Sequence, residues 1–100
     1  MNSYVLSNEA LLELDGIWEY IAQDDIEAAN RWIAKLLDNC EMLAQNPGAG
    51  HSRKEVADKS IQFWAVGKYL IVYREFDQHI EIVAVTQGSR DIPSFLRRHS

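Results

Sequence analysis

The fold of this chain is decided by residues 69–74, which read Tyr-Leu-Ile-Val-Tyr-Arg. The run is apolar on both faces up to its arginine and rich in β-branched and aromatic residues, as a covered central strand would be. A tight turn at Gly67-Lys68 precedes it, and Asp77-Gln78 leads into a second strand-like run from Ile80 to Thr86. Residues 61–66 are also extended in pattern. Short loops between such runs predict an antiparallel meander.

The first part of the chain predicts a short strand and a helix. Residues 4–6, Tyr-Val-Leu, are an extended candidate, and Ser7 follows them where a helix N-cap belongs. Apolar residues then recur at helical spacing over residues 10–21, which gives the helix one apolar face. We expect this helix to end near Gln23. Gly16 lies inside it, and either marks the close approach of another backbone or is simply tolerated.

A second helix is expected to begin at Asp24, with Glu27 as its capping-box partner. Its apolar stripe includes Cys40, and residues 46–48, Asn-Pro-Gly, stop it. Because almost no linker separates the two helices, they should form an antiparallel hairpin. The predicted fold class is therefore α+β, with one domain over residues 1–100. A short strand and a helical hairpin pack on a small antiparallel sheet in the order β-α-α-β-β-β.

Composition narrows the class of protein. The chain has 100 residues, 47% of them hydrophobic, which suits one compact domain. No apolar run approaches the roughly 20 residues that span a bilayer, and no signal peptide is visible, so we expect a cytoplasmic protein without membrane contact. Cys40 cannot form an internal disulfide and is interpreted as a small buried hydrophobe. The three histidines lack ligand spacing, so we expect no metal and no cofactor.

Charge is unevenly distributed along the chain. The net charge of −5 argues against direct, non-specific nucleic-acid binding, which relies on Lys and Arg. Residues 8–27 contain seven acidic residues and neither Lys nor Arg, whereas the end of the chain carries Arg90, Arg97 and Arg98 against Asp91. This asymmetry favours the tail as a contact surface, although exposed terminal charges are commonly just solvated.

These segments, in this order, resemble the RelE/ParE superfamily of bacterial type II toxins, and the ParE branch in particular. The resemblance covers nearly the whole chain and is carried by the segments at residues 4–7, 14–21, 46–48, 69–74, 80–83 and 88–91. It implies a small toxin that is neutralised by a co-expressed, ParD-like antitoxin wrapped around its helices and sheet. It also implies a target: ParE-like members poison DNA gyrase, whereas RelE-like members cut messenger RNA in the ribosome.

The residues favour protein contact over RNA cleavage. In the resemblance, the ribonuclease members of the superfamily carry Lys and Arg on the second strand of the fold. The corresponding residues here, 61–66, include neither. Leu70 stands where those members have an arginine, and only Arg90 matches a catalytic position. Phe95 and Leu96 lie where a tyrosine is expected, and a phenyl ring cannot transfer a proton. We therefore predict no enzymatic activity and assign no catalytic residue; a RelE-type ribonuclease and an inactive toxin-fold partner of an antitoxin are the alternatives.

Two groups of residues are predicted to form contacts. The resemblance implies target binding by the chain end, for which we select Arg90, Asp91, Phe95, Leu96 and Arg97. An arginine is favoured at binding hot spots because its planar fork binds bidentately and packs well. The alternatives are a local salt bridge between the first two residues and a tail that folds back on the sheet.

Antitoxin binding is predicted for Trp18, Trp64 and Tyr73. For Trp18, which lies on the apolar stripe of its helix, packing in the core is the favoured explanation. If Phe63 and its alternate neighbours face the helices, Trp64 faces away and is open to an antitoxin, with Tyr73 or Tyr69 displayed on the same face.

A loop provides further cations. His51, Arg53 and Lys54 could contact phosphate, or they could simply be solvated, and they receive no catalytic role.

Overall fold

The computed structural model describes residues 3–87, which form a sheet with two helices packed on one face. The elements are β1 (Ser3–Leu6), α1 (Asn8–Ala22), α2 (Ile26–Gln45), a 3-10 turn (Pro47–Ala49), β2 (Ile61–Val66), β3 (Tyr69–Glu75) and β4 (His79–Gln87). The α+β class and the order β-α-α-β-β-β are confirmed.

The described strands form a mixed sheet in the order β1-β4-β3-β2. The meander is antiparallel, as predicted, but β1 runs parallel to β4 along its first half. The expectation of a purely antiparallel sheet was therefore wrong for this one strand. Hairpin loops force the three later strands to alternate in direction, whereas the long helical connection after β1 imposes no such constraint.

β3 is the centre of the core. β3 pairs with both β2 and β4, which confirms it as a central strand, and every residue from Tyr69 to Tyr73 is buried. Ile71 and Tyr73 pack toward the helices in one cluster, and Leu70 and Val72 pack on the opposite face in another. The sheet therefore has two apolar faces, although the helices cover only one.

The orientation of β2 is the reverse of the one we considered from the sequence. Ile61 and Phe63 pack with Val72 on the face away from the helices, and Trp64 packs against the helix-side core. Successive side chains of a strand alternate between the two faces of the sheet. An error in the orientation of one residue therefore assigns every residue of the strand to the wrong face. The outward orientation expected for Trp64 and Tyr73 was wrong.

Side chains from α1 and its N-cap residue occupy the edge of β4 where β1 ends. β1 pairs with β4 only as far as Leu6. Beyond that point the Ser7 hydroxyl donates to the Val83 carbonyl oxygen at 2.8 Å, and the Val85 N–H donates to Glu13 Oε1 at 2.9 Å. These bonds satisfy backbone groups that a longer β1 would have paired, and they attach α1 directly to the sheet.

The helix boundaries follow the sequence closely, with one correction. The first helix ends at Ala22 with Gln23 as its C-cap, as expected. The second helix is capped by Asp25 and not by Asp24, because it is the Asp25 carboxylate that accepts from the Ala28 N–H, at 3.0 Å.

Replacement of Ser7 by alanine should destabilise the protein. The hydroxyl accepts from the Ala10 N–H at 3.0 Å while it donates to Val83, so the change removes a helix cap and a helix-to-sheet bond together. We expect Ser7→Ala to lower the free energy of unfolding by about 1–2 kcal/mol in a urea titration. Ser52→Ala, at an exposed loop position, is the matched control. Equal stability of the two variants would contradict this role.

Candidate functional site

A groove lies on the helix side of the sheet, beside the point where β4 ends at Gln87. We call it the α1 groove; its lining residues are Glu13, Gly16, Ile17, Tyr20, Tyr69, Val85, Thr86 and Gln87. α1 forms one wall, and the ends of β3 and β4 form the other. The sequence analysis did not find this groove, because its residues are scattered over three elements.

Gly16 lies on the α1 wall of the groove, next to open space. A Cβ atom at this position would have no other atom within 4 Å, so no other part of the described chain approaches it. Of the two readings of Gly16, close approach by another backbone of the same chain is therefore wrong. Tyr20, one helical turn further, is 66% exposed and forms the far side of the depression.

Aromatic rings and lysines lie together at the Tyr20 end of the groove. Trp32 meets Tyr69 edge to face, with ring centroids 5.3 Å apart. Lys68 Nζ lies 5.5 Å from the Tyr69 ring centroid and 5.9 Å from that of Tyr20, and Lys35 Nζ lies 5.0 Å from the Trp32 ring. Cations at these distances are attracted to the ring faces. This end of the groove therefore combines apolar surface with positive charge.

The β2–β3 turn that positions Lys68 requires a glycine. Gly67 has φ +59°, a left-handed conformation that L side chains adopt only rarely. A Cβ at this position would also lie 2.7 Å from the Trp32 ring. The tight turn predicted at Gly67-Lys68 is confirmed.

The five residues predicted to bind the target lie outside the described residues. Arg90, Asp91, Phe95, Leu96 and Arg97 all follow Gln87, the last residue that the structure describes. Their role stays a prediction. The structure shows only where this segment begins, which is after the end of β4, beside the α1 groove.

The three residues predicted to contact the antitoxin differ in how deeply they are buried. Trp18 is half-buried and its indole donates to Asn30 Oδ1 at 2.8 Å, while Trp64 is half-buried and donates to Asn39 Oδ1 at 2.9 Å. Both indoles thus bind side chains of α2, and both keep some exposed surface. Tyr73 is completely buried, so we no longer propose it as a contact residue.

Tyr73 instead anchors the loop before β2. Its hydroxyl donates to the Pro47 carbonyl oxygen at 2.6 Å and accepts from the Gly50 N–H at 2.9 Å. A Cβ at Gly50 would overlap the Tyr73 ring, so the loop passes directly over it. Burial raises the pKa of Tyr73, which keeps the phenol protonated and able to donate.

Two of the three basic loop residues pack against β2. His51 pairs with Phe63 through both backbone groups, and its ring stacks near Trp64 with centroids 6.5 Å apart. The Arg53 guanidinium lies 5.1 Å from the Phe63 ring, whereas Lys54 is exposed. His51 and Arg53 thus lie along β2, which β3 separates from β4, and neither residue lines the α1 groove.

Cys40 is a core residue, as the sequence predicted. It is completely buried among the residues between α2 and the sheet. Burial raises the pKa of its thiol to about 12, so the thiolate that nucleophilic chemistry needs is suppressed. Among residues 3–87, no three His, Cys, Asp or Glu side chains are placed together as a metal site would require. Neither described helix combines the length and apolarity needed to cross a membrane.

Comparison with known proteins places this fold among bacterial toxins. Residues 4–92 match the family described as the ParE toxin of the type II toxin–antitoxin system parDE. The chain is 30% identical over 97 residues to Toxin ParE1 of Caulobacter vibrioides, which covers 96% of this chain and 99% of that protein. It therefore belongs to the ParE family of toxins from type II toxin–antitoxin systems.

Two further relatives agree with this assignment. Putative toxin Y4kP of Sinorhizobium fredii is 30% identical over 87 residues, which are 87% of this chain and 88% of that protein. A solved structure, described as the chromosomal ParDE toxin–antitoxin system from P. aeruginosa, superposes with a TM-score of 0.70. That match covers 87% of this chain and 95% of the other at 19% identity, and it shows a common fold.

Removal of the Tyr73 hydroxyl should loosen the loop that it anchors. We expect Tyr73→Phe to lower the free energy of unfolding by about 1–3 kcal/mol, because the Gly50 N–H and Pro47 carbonyl lose a part-buried partner. Amide hydrogen exchange at Gly50 should accelerate. Tyr20→Phe, at an exposed position, is the control. Unchanged exchange at Gly50 would show that Tyr73 does not hold the loop.

The Cys40 thiol should be almost inert in the folded protein. With a pKa of about 12, its thiolate fraction at about pH 8 is on the order of 10⁻⁴. We expect alkylation in native buffer to be slower by about a hundredfold or more than in denaturant, as followed by mass spectrometry. Rapid alkylation of the native protein would show that the thiol is accessible and contradict its burial.

Proposed function

We propose that this ParE family protein inhibits DNA gyrase by direct protein–protein contact in the cytoplasm, and that a cognate ParD-like antitoxin neutralises it. The family match over residues 4–92 supports the antitoxin partnership, since the family is defined by the parDE system. The observation that favours protein contact is the chemistry of the sheet. Its described residues lack the arrangement of cations that RNA cleavage by a RelE-type toxin would need.

The meander provides poor support for a ribonuclease site. β2 contains no Lys or Arg, and Leu70 at the start of β3 is 2% exposed, so it offers RNA neither charge nor access. The phenol of Tyr73 is used by the loop and is not available as a general acid. Arg74 has its Nη2 atom 3.7 Å from Asp58 Oδ2, which partly neutralises it.

The proposal assigns target contact to the segment that follows β4. Arg90 and Asp91 follow, after Gly88 and Ser89, a strand that is hydrogen-bonded to β3 up to Gln87. Binding groups are often found in the segments that follow such strands. Phe95, Leu96 and Arg97 would add the apolar and cationic groups that are common at hot spots.

A supercoiling and DNA-cleavage assay with purified gyrase tests this proposal. We expect the protein to block supercoiling and to accumulate cleaved DNA. Arg90→Ala should require about tenfold more protein for the same inhibition, the size of effect expected for a hot-spot arginine. Arg31→Ala is the matched control, because it removes the same charge from an exposed position on α2.

The alternatives predict different results in parallel assays. Cleavage of messenger RNA in a cell-free translation mixture, with gyrase unaffected, would replace the proposal with a RelE-type ribonuclease. Antitoxin binding without either activity, and without growth arrest on expression, would indicate an inactive toxin-fold partner.

A further inference from the structure

The last part of β4 extends beyond the end of β1. β1 pairs with β4 no further than Leu6, its own last residue. β4 also contains an extra residue at Val83, where its pairing with β3 shifts in register between Val72 and Tyr73. A β-bulge of this kind bends its strand and is common next to functional sites. The bulge therefore lies between the part of β4 that pairs with β1 and the part that leads to Gln87.

Glu13 binds β4 beyond this bulge. Its Oε1 atom accepts from the Val85 N–H at 2.9 Å, across 72 positions of sequence. The side chain is half-buried, and a carboxylate makes a stronger hydrogen bond than a neutral acceptor would. Among the described residues that line the α1 groove, Glu13 is the only charged one, and Lys68 lies over the Tyr20 ring at the far end. The edge of β4 therefore carries one carboxylate from the helix.

A carboxylate in this position suits an arginine from the segment that follows β4. A carboxylate accepts several hydrogen bonds, so it can bind a backbone N–H and a guanidinium at the same time. Arg90 is the first cation after the strand, three residues beyond Gln87. Three residues span at most about 11 Å, so Arg90 starts close to the groove that Gln87 lines. Glu13 and Arg90 are therefore compatible in both charge and distance.

Asp91 is the other acidic residue that could pair with Arg90. It is a poorer partner, because adjacent side chains of an extended chain point to opposite sides. Gly88 and Ser89 come before the arginine, and both residue types are common in turns, which would allow Arg90 to face α1. Chemistry and spacing therefore favour the carboxylate on the helix over the neighbour in sequence.

We propose that Glu13 is a positioning residue for the contact with gyrase. Its carboxylate holds the end of β4 through Val85 and pairs with the guanidinium of Arg90, which it orients toward the target. An arginine loses much of its side-chain freedom when it binds, and a partner that already holds it reduces this cost. The inference rests on the proposed inhibition of gyrase and adds a residue of α1 to its contact segment.

A double-mutant cycle tests the pair. The assay measures the concentration of this protein that halves the supercoiling activity of purified gyrase. Glu13→Gln keeps an oxygen for the Val85 N–H and removes the charge, and it should weaken inhibition by about fivefold. In an Arg90→Ala background the same change should cost less than about twofold, because the partner of the charge is already absent. Glu9→Gln, at an exposed position one turn earlier on α1, is the matched control.

Two measurements on the free protein separate the pairing from a general effect on the fold. The Arg90 Nε–H proton should exchange with water about fivefold faster in Glu13→Gln than in wild type, as followed by nitrogen-15 NMR, with Arg98 as the internal reference. The melting temperature should stay near the wild-type value in Glu13→Gln. It should fall in Glu13→Ala, because the Val85 N–H then loses its acceptor.

The outcomes distinguish this inference from the proposed function. Coupling of Glu13 to Arg90 in the gyrase assay, with faster exchange at Arg90, supports the inference. Equal losses from Glu13→Gln in both backgrounds would overturn it, although inhibition of gyrase would stand. Coupling of Arg90 to Asp91 in an Asp91→Asn cycle, without coupling to Glu13, would also overturn it. If wild type does not inhibit gyrase, the proposed function fails and the positioning role fails with it.

Discussion

Burial of both faces of β3 is the constraint on which the rest of this structure depends. Residues 69–73 are apolar without interruption, so a single covered face would leave large hydrophobic side chains in water. The helices cover one face, and they must form a hairpin of sufficient length to do so. On the other face, Phe63 and Val56 pack with Val72 and Leu70, which draws the loop before β2 onto the sheet.

This burial also explains two groups of hydrogen bonds, one at Tyr73 and one at the edge of β4. Tyr73 brings a hydroxyl into the core. The loop supplies two of its hydrogen-bond partners, at Pro47 and Gly50, and Gln62 Oε1 on β2 is a third at 3.2 Å. At the other side of the sheet, β1 is too short to pair with all of β4. Ser7, the N-cap of α1, and Glu13, within α1, complete that edge, so this helix is hydrogen-bonded directly to β4.

The α1 groove is a consequence of the same arrangement. Because Glu13 reaches the β4 backbone, α1 lies over the last part of β4, and its outer side forms a wall above Gln87. The groove and the last residue of β4 thereby lie at one corner of the described structure. The chain continues from this corner into the segment that we propose to contact gyrase.

Local sequence determined the elements of this protein almost residue by residue. The bounds of β2, the Ser7 cap, the Gly67 turn and the end of α2 all depend on neighbouring residues, so they could be predicted from the chain alone. Residue types were also sufficient to disfavour a ribonuclease, since the relevant cations are missing from the sequence itself. The family resemblance could also be recognised from the sequence, because it is carried by short motifs in a fixed order along the chain.

Only the tertiary structure decided the partner of β1, the face of Trp64 and the role of Tyr73. A short strand pattern contains no information about which neighbour it pairs with, and a period of two does not state which side is inward. The sequence predicted Tyr73 as a surface aromatic. In the structure its hydroxyl instead binds Gly50 and Pro47, which lie 23 and 26 positions earlier in the chain. The α1 groove escaped prediction because Gly16, Tyr69 and Gln87 are distant in sequence, and only packing brings them to one surface.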